Sequence, residues 1–188
     1  MTGQGRDRSR HCAPAYADDV TLIVLSGLPG VGKTTIARKV AASLRAVYLR
    51  IDTIEHALRN AGSKVEAEGY CVAYAVAEDN LKVGRIVVAD CVNPWPLTRN
   101  EWRLVADRAG VALVDVEIVC GDLAEHRRRV ESRAPDLAGQ RLPTWADVVG
   151  RDYRPWSCER LVIDTACRDV EASVRAILAV ARPPGDNA

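Results

Sequence analysis

Residues 27–34 read Gly27-Leu28-Pro29-Gly30-Val31-Gly32-Lys33-Thr34, a spacing of glycines, one lysine and one hydroxyl that suits a polyphosphate. A turn that curls around a phosphate must aim its backbone N–H groups inward. Gly27, Gly30 and Gly32 permit that curl and the close approach. Lys33 supplies a point charge for the β- and γ-phosphates, and the Thr34 hydroxyl can coordinate Mg²⁺. A glycine-rich turn that binds nothing would need neither Lys33 nor Thr34.

Two carboxylates stand where such a loop would need partners. Asp52 and Asp90 each close an apolar run, and in open α/β sheets ligands lie beyond the carboxyl ends of the strands. Phosphoryl transfer needs Mg²⁺ held beside the phosphates and a group that orients or deprotonates the acceptor hydroxyl. We assign Asp52 the acceptor-side base and Asp90 the shell of Mg²⁺-bound water or a second acceptor contact. The plainer alternatives are a helix N-cap for Asp52 and a strand-end turn residue for Asp90. Asp115 and Glu117 share parity on a later run and are expected to face a polar surface or the sheet edge.

Residues 125–133, Glu-His-Arg-Arg-Arg-Val-Glu-Ser-Arg, concentrate positive charge. Arg129 and Arg133 are four apart and share one face of a helix. Closing over ATP, they would neutralise charge on the transferred group; Arg141 and Arg151 are candidates to join them. A solvated face with Glu125 paired to Arg129 and an RNA-binding stripe are the alternatives. Trp95, between two prolines just after Asp90, is a candidate wall for an acceptor pocket.

These residues need a scaffold, and the apolar runs describe one. Runs alternate with helical patterns, which signals a parallel sheet with crossover helices. Strands are expected over Val20–Ser26, Ala46–Ile51, Arg85–Ala89, Val111–Cys120 and Leu161–Asp164. Helices are expected over Lys33–Leu44, Thr53–Asn60, Glu66–Lys82, Thr98–Ala109 (capped by Thr98 with Glu101), Leu123–Arg133, Thr144–Tyr153 and Val170–Ala181. The 188 residues suit one domain: a polar leader over 1–19, a domain over 20–182 with a lid near 127–155, and a tail over 183–188.

Lys plus Arg number 26 against 25 Asp plus Glu, so a net +1 gives no long-range field for nucleic acid or a membrane. A basic arm in the leader, with Arg6, Arg8 and Arg10, is the alternative. No apolar run is long enough to span a bilayer, and no apolar stretch follows those arginines as a secretory signal would require. None of the six cysteines forms a C-x-x-C pair, and Cys71, Cys91 and Cys120 sit in apolar runs, which reads as small buried side chains in a reducing cytosol. A GTPase guanine-reading stretch (Asn-Lys-x-Asp), a strand ending in Asp-Glu and a Leu-Ser-Gly-Gly-Gln stretch are all lacking.

At these residues the chain resembles the small P-loop kinases that include adenylyl-sulfate kinase, gluconate kinase, chloramphenicol phosphotransferase and the zeta-toxin kinases. The resemblance rests on Gly27–Thr35, Asp52-x-Ile54-x-His56-x-Leu58, Asp90 and the Arg129/Arg133 pair. Val87–Pro94 and Leu142–Trp145 resemble AAA-domain, adenylyl-sulfate-kinase-like bacterial proteins. It implies a P-loop NTPase fold, a three-layer α/β/α sandwich with a five-stranded, mainly parallel sheet and a helical lid. It implies nucleotide contacts from Gly27, Pro29, Gly30, Val31, Gly32, Lys33, Thr34, Thr35, Arg129 and, in the loop after the last strand, Arg168. On the acceptor side it implies Asp52, His56, Arg59, Asp90 and Trp95. The sulfate-activating members usually carry Arg where Glu55 stands, so the resemblance supplies a reaction class and not an acceptor. The expected function is MgATP-dependent phosphorylation of a small-molecule hydroxyl, natural products and antibiotics included, by a cytoplasmic monomer or homodimer. A nucleotide or nucleic-acid end kinase and a non-catalytic nucleotide switch are the alternatives.

Overall fold

The structure is a computed structural model that describes residues 20–136, 139 and 141–181. The polar leader with Cys12 and its arginines, and the tail, lie outside the described residues. Five strands, β1 (Thr21–Ser26), β2 (Val47–Arg50), β3 (Val87–Asp90), β4 (Ala112–Val119) and β5 (Leu161–Asp164), form one sheet in the order β2-β3-β1-β4-β5. Every pairing is parallel. Seven helices complete the described residues: α1 (Lys33–Leu44), α2 (Ile51–Asn60), α3 (Glu68–Lys82), α4 (Pro96–Ala109), α5 (Leu123–Ser132), α6 (Trp145–Val149) and α7 (Val170–Ala181).

Side-chain alternation along β1 divides the core in two. Ile23 and Leu25 pack with Ile36 and Val40 of α1 and Ile177 of α7; Leu22 and Val24 pack with Ala73 and Ala77 of α3 and Trp102 and Val105 of α4. A strand buried on both faces must be apolar at every position, which is why β1 reads as a continuous run. With β1 central and the strand order reversing about it, the crevice at its carboxyl end is where an α/β sheet binds ligands.

Four expectations are corrected. Helix α2 begins at Ile51, directly after β2, so Asp52 lies in its first turn and is not its N-cap. Helix α4 begins at Pro96, whose missing N–H costs nothing at a first turn, and Thr98 donates to Trp95 O instead of capping. The capping box is at Thr144 and Asp147, and α6 stops at Val149, four residues short of Tyr153. Beyond it the chain has other partners: the Arg154 backbone N donates to Pro94 O, and the Tyr153 side-chain hydroxyl donates to Glu117. Cys71 is exposed while Cys91 and Cys120 are buried, because the buried stripe of α3 runs through Gly69, Ala73, Ala77 and Leu81.

Asp115 and Glu117 are also not at an edge, since β4 lies between β1 and β5 and both side chains are buried. Glu117 accepts from Tyr153 and Arg160, whereas Asp115 has only Arg103 Nη2 at 3.4 Å, and its Oδ1 has no partner among the described residues. Burial pushes the Asp115 carboxyl up to about 6, with Arg103 and Arg99 only partly offsetting it. The folded protein therefore holds this proton more tightly than the unfolded chain. The resulting stability is present below the ordinary carboxyl range and is lost as pH rises through about 6. Asp115→Asn should raise stability at pH 8 by about 1–3 kcal/mol, and the gain should shrink toward pH 4. Thermal melts of both proteins across that range check it.

Candidate active site

The loop after β1 is shaped by three glycines at positive φ, Gly27 (140°), Gly30 (85°) and Gly32 (95°). Gly32 is also the N-cap of α1, and neither a capping side chain nor an acidic residue occupies the first turn of that helix. The helix N-terminus is therefore left as a cradle of N–H groups at the positive end of a dipole, which fits a phosphate. The loop is braced from α5: His126 Nε2 lies 2.8 Å from Pro29 O, edge-on to Trp145, and Val130 fills the space beside Gly30. Lys33 is buried, with Nζ donating to Leu28 O at 2.8 Å. Burial lowers its pKa, while Asp90 and Asp52 pull it back up.

Strand register places the carboxylate partners. Arg50 stands beside Asp90 on adjacent strands, and Asp90 beside Leu25. Tyr48, Arg50 and Asp90 share the face toward α1, by parity with Val88. There Asp90 Oδ2 accepts from Thr34 Oγ1 at 2.7 Å and from the Tyr48 hydroxyl at 2.8 Å, with Arg50 Nε at 4.0 Å. Desolvation and the neighbouring carboxylate raise the Tyr48 pKa, so the phenol stays a donor. This all-oxygen pair, Thr34 and Asp90, fits Mg²⁺ held partly by phosphate and water. Among the described residues there is no cluster of three or more His, Cys, Asp or Glu to hold a metal outright.

The loop opens on a cleft of about 1240 Å³ that runs from Lys33 and Thr34 to the aromatic side chains of α3 and Trp95. Pro29, Gly30, Gly32, Thr35 and the pair Arg129 and Arg133 line the phosphate end. Asp90 stands with Thr34 at that same end, Asp52, His56 and Arg59 line the wall beyond it, and Arg141 and Arg151 also reach the cleft. The Asp52 side chain is 45% exposed and has Arg50 Nη2 at 3.4 Å. His56 lies 3.0 Å from Asn60 Nδ2, Arg59 pairs with Glu55, and Trp95 Nε1 donates to Asp152. Gly27 and Val31 support the loop without lining the cleft, and Arg168 is exposed outside it. Arg129 pairs with Glu125 and donates to the Thr165 hydroxyl and carbonyl, tying α5 to the loop after β5. Arg133 ends α5 in an extended conformation.

Sequence reasoning missed Tyr48, Arg50, Arg38, Asp136 and His126. A polar residue at every second position of a strand, Tyr48 then Arg50, just before Asp52, was the available signal. Also missed was Arg99, a buried strut donating to the carbonyls of Asn93, Pro94, Arg154 and Pro155 and stacked on Trp156 at 4.1 Å. It fixes the exit of β3, and so Asp90, against the segment at Arg154 and Pro155.

A model of the AAA-domain family matches residues 22–145, more than half of the chain and all of this loop and both aspartates. The chain belongs to the AAA-domain family. No curated protein matches this AAA-domain chain. Among solved structures, it is similar to the APS kinase of Mycobacterium tuberculosis in complex with AMPPNP and APS, at 20% identity over 86% of this chain and 97% of that one, with a TM-score of 0.66. It is similar to a gluconokinase from Sinorhizobium meliloti, at 17% identity, 88% and 93% coverage and a TM-score of 0.61. A sugar kinase from Janibacter sp. matches at 16% identity, 85% and 93% coverage and 0.60. The fold is that of P-loop kinases. Among the described residues no helix is long and apolar enough to cross a membrane.

Proposed function

We propose that the protein, through residues 20–182 as one domain with 127–155 as its lid, transfers the γ-phosphoryl group of ATP to a hydroxyl of a small-molecule acceptor. One observation carries the reading. A single cleft joins a polyphosphate loop, whose Thr34 meets the buried Asp90, to a second carboxylate, Asp52, that is open toward the far end. Asp90 Oδ2 already accepts hydrogen bonds from two hydroxyls, which suits it to the cation; Asp52, with only the 3.4 Å Arg50 contact, is open to an acceptor hydroxyl.

In this reading the backbone N–H groups at the start of α1 and the Lys33 ammonium hold the phosphates, and Arg129 and Arg133 face the transferring group. Thr34 would hold Mg²⁺ directly and Asp90 through water, and the cation supplies positive charge at the phosphoryl oxygens. Asp52 takes the acceptor's hydroxyl proton as that oxygen bonds to phosphorus and the bond to the ADP oxygen breaks. The solvated arginines of α5, Arg127 and Arg128, are paired with Glu131 and Glu125, which leaves little free charge for a nucleic-acid stripe and favours a small acceptor. The kinase structures it resembles support the same reaction class.

ATP turnover against a panel of metabolites and antibiotics tests the reading. Asp52→Asn should lower transfer about 10²–10⁴-fold with nucleotide affinity unchanged. Wild-type transfer rates in that variant would remove the base assignment. Tight MgATP uptake with no transfer to any hydroxyl would point to a nucleotide-dependent switch instead.

A further inference from the structure

We propose that Arg38 and Arg50, with Arg133 at the rim, form an oxyanion subsite for the acceptor, and that Asp136 is its built-in occupant. The inference rests on the phosphotransferase reading and names the class of acceptor: a hydroxyl compound carrying a carboxylate or similar terminal oxyanion.

Asp136 lies beyond the end of α5, in the connection toward α6, yet its carboxylate reaches the end of β2. Arg50 grips both of its oxygens, Nη1 to Oδ2 at 2.5 Å and Nη2 to Oδ1 at 3.1 Å. Arg38 Nη2 donates to Oδ2 at 3.1 Å, and Arg133 Nη2 stands 3.9 Å from Oδ1. Three guanidinium groups thus converge on one carboxylate that is still 34% exposed on the cleft wall. The Arg50 side chain is only 2% exposed, and its Nε has no hydrogen-bond partner among the described residues. A buried arginine with an unmet donor is a poor stabiliser compared with an apolar side chain of similar volume. Its planar fork matches a carboxylate, which makes it suited to binding one.

The position is right for a substrate group. Arg50 Nη2, which holds Asp136, is also 3.4 Å from Asp52 Oδ2. One nitrogen therefore bridges the oxyanion position and the proposed base. An acceptor whose oxyanion replaced Asp136 would present a hydroxyl to Asp52 only a few bonds away, as in a small hydroxy acid. A neutral acceptor would leave Asp136 in place and the subsite unused.

Acetate is the probe, with the full chain and thermal-shift titration as the readout. Asp136→Ala removes the occupant and should bind acetate saturably, at least tenfold tighter than wild type. Chloride at matched ionic strength and neutral acetamide should give no such response. Adding Arg38→Gln, at an exposed position, should weaken the acetate response severalfold. If Asp136→Ala does not fold, Asp136→Asn should give the same order. A variant that answers acetate and chloride alike, or neither, overturns the subsite. Calorimetry with Mg²⁺ and AMPPNP on the wild type runs alongside. Absence of nucleotide uptake there would sink the phosphotransferase reading, and the acceptor role with it, whereas the acetate titration reports on the subsite alone.

Discussion

Lys33→Met should cut phosphoryl transfer by about 10³–10⁵-fold while leaving the fold as stable as before or more so. The two halves have one cause. Lys33 is buried at the mouth of the loop, where its charge acts on phosphate at low dielectric and with little reorganisation. The same burial lowers its pKa below 10.5, with Asp90 and Asp52 offsetting it only in part. A lysine whose folded pKa is depressed binds its proton more weakly when folded, so its charge destabilises the fold at pH 7 and ceases to do so as pH rises toward 10.5. Methionine keeps the aliphatic stem and removes that penalty, at the cost of one bond to Leu28 O. Thermal melts and turnover on the same preparation separate the effects. A variant with near-normal turnover would show that the loop does not hold the transferred phosphates.

Gly27→Ala should be the most damaging added methyl among the described glycines. Its φ is 140°, a conformation closed to L side chains, and a Cβ there would lie 2.2 Å from Ile118 O. The obstacle is backbone of the neighbouring strand β4, which cannot rotate away as a side chain can. Displacing Gly27 would also strain its N–H bond to Val92 O, which ties the loop to the exit of β3. A loss of about 4 kcal/mol or more is expected, a large share of the ~5–15 kcal/mol that a domain of this kind has. Gly84→Ala is the control. Its φ is 79° with nothing near the added methyl, so only backbone strain of about 1–2 kcal/mol is at stake. Urea denaturation of the pair tests whether contact, and not φ alone, governs the difference.

The elements were legible where a local pattern encodes them. The apolar run of β1, the glycine spacing of residues 27–32 and the stripe of α1 each follow from burial or backbone needs within a few residues. Asp52 and Asp90, which both line the cleft, were legible by the same local logic, as charges that close apolar runs. The starts of α2 and α4 rest on local features, Ile51 directly after β2 and Pro96 at a first turn, whereas the segment after α6 finds partners far along the chain. There Arg154 N is claimed by Pro94 O, and the Tyr153 hydroxyl donates to Glu117.

The sequence by itself determined that this chain folds as a parallel α/β sheet carrying a phosphate loop, because those features depend on residue spacing within single elements. Only the tertiary structure decided which charges meet. Arg50 and Asp136 are 86 positions apart, and Thr34 and Asp90 are 56 apart. Their pairing is set by strand order, register and the path of the connection after α5, none of which leaves a periodic trace in the sequence.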